Sequence, residues 1–384
     1  MRTLTTGDVE AAVYGGLVLG AGGGGLEEGL RQAQMVLEFG QPRLADLDDF
    51  EDGDLAIVTT GVGAPGGHTS SVFPRDRLRA FELIRAAIAQ REDTRNGRLV
   101  GTVMGHPSAR VATSWLHAAL DPNIVVLDCA TNGRGHPSVR MGGMGLASRL
   151  DVAIFQAAVG GTLADRGRME LVVWGPLALT SDVVRRASDV LGGGISACRG
   201  PVSIGFLRTA AAVGSVSMSI HLGRAMIAAL GRGPDAFIDA IVSTLNANVV
   251  LAGLVTEQTV RLRGAYDVGC VVVADGGHVA ELGVVNEFLT LDVDGIRMSS
   301  FPDLIVLLSQ KDGMPIGITA LKRGDPVIIV TVPHASIPLG AGVWDVQAYR
   351  GVEELLDREL VPPACRRDSA ADGHAEGTES ARRS

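Results

Sequence analysis

Apolar residues recur at intervals of three and four from Asp8 to Leu19 and again from Leu26 to Phe39, the spacing of one face of an α-helix. The run Gly20-Ala21-Gly22-Gly23-Gly24-Gly25 separates the two predicted helices, so these glycines join helix to helix. Leu55 to Thr60 is instead a short β-branched run that predicts a strand, and it ends in Gly61-Val62-Gly63-Ala64-Pro65-Gly66-Gly67. Helical spacing returns from about Arg75 to Ala89, strand character from Leu99 to Met104, helix from Ala109 to Ala119 and strand from Ile124 to Leu127. Such alternation predicts the α/β fold class, with a mostly parallel sheet.

A further alternation runs from Val152 to about Leu179, followed by a helix near Asp182 to Leu191 and another over Thr209 to Leu230. Beyond Asp235 a helix to about Leu245 gives way to short strands at Thr259–Arg263, Gly269–Ala274, Glu281–Val293, Leu304–Ser309 and Pro326–Val332. Asp275-Gly276, Asp294-Gly295 and Asp312-Gly313 supply turns between them. The expected organisation is an α/β domain over 1–234, a mainly antiparallel β-rich domain over 235–360 and a disordered tail over 361–384, which opens near Pro362-Pro363 and is charged and small thereafter.

Composition narrows the function classes. With 34 Lys and Arg against 43 Asp and Glu the net charge is −9, which argues against a protein that tracks nucleic-acid phosphates. Glycine is 51 of 384 residues while 46% of the chain is hydrophobic, so a folded core with many tight loops is expected. Met1 to Glu10 carries acids and no signal-like apolar run, and no later stretch has 18 uninterrupted apolar residues, so a cytoplasmic protein without membrane contact is expected. Cys129, Cys198, Cys270 and Cys365 lack CxxC spacing and read as reduced thiols.

Functional groups in α/β sheets gather beyond the C-terminal ends of strands, which singles out Gly61–His68, Gly105-His106-Pro107 and Asp128–Pro137. The last of these is the richest. Asp128 is a candidate general base or orienter, Arg134 a fork for a carboxylate or carbonyl pair, and His136 a proton carrier near neutral pH. Cys129 is a candidate nucleophile if its thiol is activated, against the plain alternative of a small buried residue. Asn132 in this loop, Gly63, Ala64, Pro65, His68 and His106 in its neighbours, and Asn286 and Glu287 in the β-rich domain are candidate substrate contacts. His68, His106, Asp128 and His136 form a conceivable divalent-metal set, although no HxH or HExxH spacing supports one. His117, His221, His278 and His334 are isolated. Gly20, Gly22 and Gly25 match GxGxxG, with Asp46, Asp48 and Asp49 about twenty residues on, but a dinucleotide fingerprint follows a strand and this one follows a helix. The backbone N–H groups of Gly22, Gly23, Gly24 and Gly25 are still placed to favour an anion or a polarised carbonyl at the start of the next helix.

Taken in order, Leu4-Thr5 with Leu19–Gly25, Gly63-Ala64-Pro65, Asp128…Gly133-Arg134…Pro137, Asn286-Glu287, Pro302-Asp303-Leu304-Ile305 and Gly324-Asp325-Pro326-Val327 resemble the S-methyl thiohydantoin desulfurase family. The resemblance spans about residues 3 to 357. It implies an N-terminal α/β domain, a C-terminal β-rich domain and hydrolytic attack on a hydantoin-like five-membered ring with release of a methylthio group. It also implies a base or orienter at Asp128, charge stabilisation by Arg134, acid/base work by His136, donors in Gly22–Gly25 and a ring contact from Asn286, with no redox cofactor required. The loop departs from the family pattern where Ala130 replaces an acid and Gly135-His136 precede Pro137, so the expectation is either that His136 or Cys129 takes over or that the chemistry differs. Two other classes stay open: an accessory subunit of an ATP-dependent hydantoinase or oxoprolinase, and a hydantoin-binding sensor. The expected partners are a small heterocycle, further copies of the chain or a hydantoinase subunit.

Overall fold

The computed structural model describes residues 1–360 apart from 23, 65, 67–72, 93, 95–96 and 163–166. After β1 (Arg2–Thr3) come α1 (Thr6–Leu19) and α2 (Leu26–Phe39). Thr5 opens α1 with a reciprocal cap: its hydroxyl accepts from the Asp8 N–H, and Asp8 accepts from the Thr5 N–H. Every residue from Ala11 to Leu19 is buried, so α1 is a central helix and not a one-sided surface one.

The chain then runs through β2 (Arg43–Ala45), β3 (Leu55–Gly63), α3 (Pro74–Gln90), β4 (Leu99–Met104), α4 (Leu116–Leu120) and β5 (Val125–Ala130). β2, β5, β4 and β3 lie side by side and parallel, as the alternation of strands and helices predicts. Next come α5 (Val139–Gly142), β6 (Ala153–Gly160), β7 (Met169–Pro176), α6 (Leu177–Val190) and β8 (Gly194–Ser203). β8 joins the β3 edge antiparallel and carries the β6–β7 hairpin beyond it, giving a mixed sheet. The predicted helix over Thr209–Leu230 is broken. α7 (Ile204–Ala210) ends early, β9 (Ala212–Val213) pairs with β5, and α8 (Ser215–Ala229) starts after Gly214, whose φ of 82° turns the chain.

The β-rich domain follows α9 (Pro234–Leu245) and comprises β10 (Asn248–Gln258), β11 (Arg261–Arg263), β12 (Tyr266–Ala274), β13 (Val279–Val285), β14 (Glu287–Val293), β15 (Ile296–Ser300), β16 (Leu304–Ser309) and β17 (Pro326–Val332), with α10 (Arg350–Leu356) behind it. All pairings are antiparallel, in the order β15-β14-β13-β12-β10-β17-β16 with β11 on β12. The predicted strand Glu281–Val293 is two strands, turned back at Asn286 with φ 57°. Asp294-Gly295, with φ 51° and 79°, makes the expected tight hairpin.

The chain therefore forms an N-terminal α/β domain and a C-terminal β-rich domain, joined by a continuous core. Val18 and Leu19 of α1, Leu222 and Met226 of α8 and Phe237 and Ile241 of α9 pack with Leu304, Val306 and Val330 of the second sheet. Among the described residues no helix is long and apolar enough to cross a membrane.

Candidate functional site at the domain junction

The loop after β5 is held by its own backbone. Thr131 and Asn132 donate their N–H groups to the carbonyls of Met104 and Gly105, and the Asn132 amide bonds to Arg134 O and the Gly133 N–H. Asn132 is therefore a loop brace and not a substrate contact. Gly133 is required by space, because a Cβ there would lie 1.8 Å from Pro338 O.

Three expectations for this segment are corrected. β5 extends through Ala130, so Asp128 and Cys129 are strand residues pointing to opposite faces. Asp128 accepts the N–H groups of Val216 and Ser217 at 3.0 and 2.9 Å and the Ser217 hydroxyl, which makes it the cap of α8 rather than a free base. Cys129 is fully buried among Val58, Val103, Leu127 and Met144, and burial pushes its thiol up, away from the thiolate a nucleophile needs. Arg134 is fully buried over the Phe301 ring and donates to the carbonyls of Gly135, Asp303 and Phe288. Burial lowers its pKa to about 10, so it stays charged, but its donors are engaged in tying the two domains together.

What converges at the junction is a different set. His106 and His136 meet edge to face with ring centroids 4.9 Å apart, both half-buried. Burial, then the charges of Arg134 and Arg199, lower His106 to about 4; burial and then His106 hold His136 well below the ordinary imidazole value, so both imidazoles are neutral near pH 7. The His136 Nδ1 lies 3.4 Å from Arg134 O, and its ring packs on Gly142, where a Cβ would be 2.2 Å from Nε2. His106 makes no hydrogen bond among the described residues.

Glu287 reaches the same loop from β14, since a Cβ on Gly135 would be 3.0 Å from its Cγ. Its Oε2 is buried with no hydrogen-bond partner. Burial raises its pKa to about 8 against the opposing pull of Arg134 and Arg185, so it is a carboxylic acid at neutral pH. Arg185 spans the junction, donating to Ala265 O and Pro137 O and stacking on Tyr266. Asn286 fixes the hairpin turn: its Oδ1 accepts the Asp267 N–H and its own backbone N–H donates to Asp267 O.

The glycine run also takes another role. The carbonyls of Leu19, Ala21 and Gly22 accept from Gly135, Phe288 and Ile318, so the segment staples the site loop to the second sheet. Gly24 and Gly25 line a separate cavity of about 460 Å³ with Arg110, Lys311 and Met314. Gly63 lies in β3 with Ala64 at its end, where Ala64 N bonds Gly193 O; Gly23, Pro65 and His68 lie outside the described residues. Of the conceived metal set, Asp128 is bound to α8 and His68 lies outside the described residues; among the described residues no group of three His, Cys, Asp or Glu is placed to hold a metal. Arg185 and Arg199 were missed by sequence reasoning because they sit in a helix and a strand whose local patterns carry no motif.

Comparison with known proteins bears on what this junction is for. Residues 7–160 match the model "S-Me-THD-like, N-terminal domain" and residues 178–337 match "S-Me-THD-like, C-terminal domain". The chain belongs to the S-Me-THD-like family. The two matched ranges together span both sheets; His106 and His136 fall in the first range and Glu287 in the second. A crystal structure of a protein from Chromobacterium violaceum is similar over 94% of this chain and 99% of that one, with TM-score 0.71 and 20% identity, a likeness of fold alone. No curated protein matches the chain.

Proposed function

We propose that the protein is a hydrolase of a hydantoin-like ring, releasing the methylthio group of an S-methyl thiohydantoin. The observation that carries this reading is a buried carboxylic acid, one oxygen unpartnered among the described residues, packed against Gly135 of the loop that brings His136 to His106, both neutral, in a family named for S-methyl thiohydantoin. Displacing a methylthio group by water needs a proton removed from the water and a proton given to the departing sulfur or ring nitrogen.

His106 is assigned the first task, since it is neutral above about pH 4 and its ring nitrogens are uncommitted. His136 positions it through the ring contact. The water oxygen bonds to the ring carbon as the carbon–nitrogen π pair moves onto the ring nitrogen, one water proton passes to His106, and the other moves from the oxygen to that nitrogen as the carbonyl forms and the carbon–sulfur bond breaks. Glu287 supplies the proton that lets methanethiol leave, and the proton on His106 returns the carboxyl to its acid form. The products are methanethiol and the ring carbonyl, and the residues end as they began.

The test is incubation of the purified protein with S-methyl thiohydantoins, with and without chelator, following thiol release and ring mass by mass spectrometry. Methanethiol release by the lone protein, lost in His106→Asn and Glu287→Gln, is expected. No release from any ring, with hydantoin binding retained, would replace this reading by that of an accessory subunit or sensor.

A further inference from the structure

Arg199 projects from β8, where it pairs in register with Val58 of β3 and Gln156 of β6, and only 7% of it is exposed. Its Nε donates to Gln156 Oε1 at 3.0 Å. The Gln156 amide cannot rotate to offer anything else, because its NH₂ is bonded to the hydroxyls of Thr180 and Ser181 at 2.6 and 3.0 Å. The guanidinium is thereby oriented by its Nε edge, while its two terminal nitrogens have no partner among the described residues.

No described carboxylate pairs with Arg199. Another guanidinium, Arg185, acts on its charge, and that charge is felt in turn by both His106 and His136. A buried cation without a counter-charge is costly, and elsewhere at this junction the guanidiniums of Arg134 and Arg185 are satisfied by backbone carbonyls. Arg199 instead presents an open two-nitrogen edge among the described residues, the geometry that matches a carboxylate bidentately.

We propose that Arg199 anchors a carboxylate carried on the ring substituent of the substrate, so that the ring this protein binds is one with an acidic side chain. This rests on the reading of the junction as the site for a hydantoin-like ring. The carboxylate supplies the counter-charge that the fold leaves out, and the Gln156–Thr180–Ser181 network fixes the direction from which it must approach. The ring itself then lies toward His106 and His136, which share the Arg199 field.

The experiment compares two S-methyl thiohydantoins, one with a carboxyethyl substituent and one with the matching carboxamide, in wild type, Arg199→Met and Arg199→Lys. Wild type is expected to favour the acid in kcat/KM by about 10- to 100-fold, the range of one charge-assisted hydrogen-bonded pair. Arg199→Met is expected to abolish the preference and Arg199→Lys to keep its sign at reduced size; if the Met variant does not fold, the Lys variant decides. Equal use of acid and amide by wild type overturns the proposal, as does a preference that survives in Arg199→Met or is undiminished in Arg199→Lys. A loss in Arg199→Met that is the same for both substrates also overturns it. Calorimetric binding of the corresponding plain hydantoins, acid and amide, is the parallel arm. If no thioether ring is turned over but the acidic hydantoin still binds wild type in preference to the amide and this is lost in Arg199→Met, the hydrolase reading falls and the anchor stands.

Discussion

Glu287 reads in the sequence as a candidate substrate contact; that it is an acid at neutral pH comes from burial, against the pull of two guanidiniums. If it acts as an acid, kcat falls as pH rises through about 8, and Glu287→Gln removes that limb while lowering kcat by about 10²- to 10⁴-fold in a pH–rate profile. The same shift acts on stability. Between the ordinary carboxyl value and about 8 the native state holds a proton that the unfolded chain has lost, so stability falls with rising pH across that window. Denaturant melts of Glu287→Gln should show a shallower fall over the same range. Asp128 gives the opposite case, a residue that resembles a catalytic acid in sequence but caps a helix in space. Asp128→Asn is expected to lower stability by about 1–2 kcal/mol in urea melts and to leave kcat of the folded protein unchanged.

At the scale of elements, two contacts decide whether the site loop is in place. α1 and α8 touch backbone to backbone: a Cβ on Gly223 would fall 1.7 Å from Ala11 O, and one on Gly15 2.0 Å from Ser219 O. Gly223→Ala should therefore cost about 3 kcal/mol or more, read as a drop in Tm, because neither helix backbone can give way. The periodicity of Asp8–Leu19 announces the helix, but an almost uniformly apolar, small-residue pattern does not say which partner it meets. The second contact is Arg134, whose removal in Arg134→Met strands the carbonyls of Gly135, Asp303 and Phe288. A loss of about 3 kcal/mol in thermal or urea unfolding is expected, with activity lost through displacement of the loop. β8 escaped the sequence reading for a related reason: Gly194 to Ser203 mixes Gly, Ser, Ala and Pro and is a strand only because β3 and β6 flank it.

At the scale of the molecule the two domains share a core, since Val18, Leu222 and Phe237 pack on Leu304, Val306 and Val330. A fragment ending at Asn246 is expected to lose near-UV circular dichroism and bind hydrophobic dye, because that face is left open; a well-folded monomeric fragment would refute the shared core. The sequence by itself determined the fold class, the helix-to-helix place of the glycine run and the Asp-Gly hairpin at Asp294, because these rest on periodicity and turn chemistry, which are local. The tertiary structure alone decided that Asp128 caps α8, that Cys129 is core, that Asn286 turns a hairpin and that His106, His136, Glu287, Arg185 and Arg199 share one junction. Those outcomes depend on residues far apart in the chain meeting out of water, where burial sets protonation and an unpaired group becomes costly, and no local pattern carries that information.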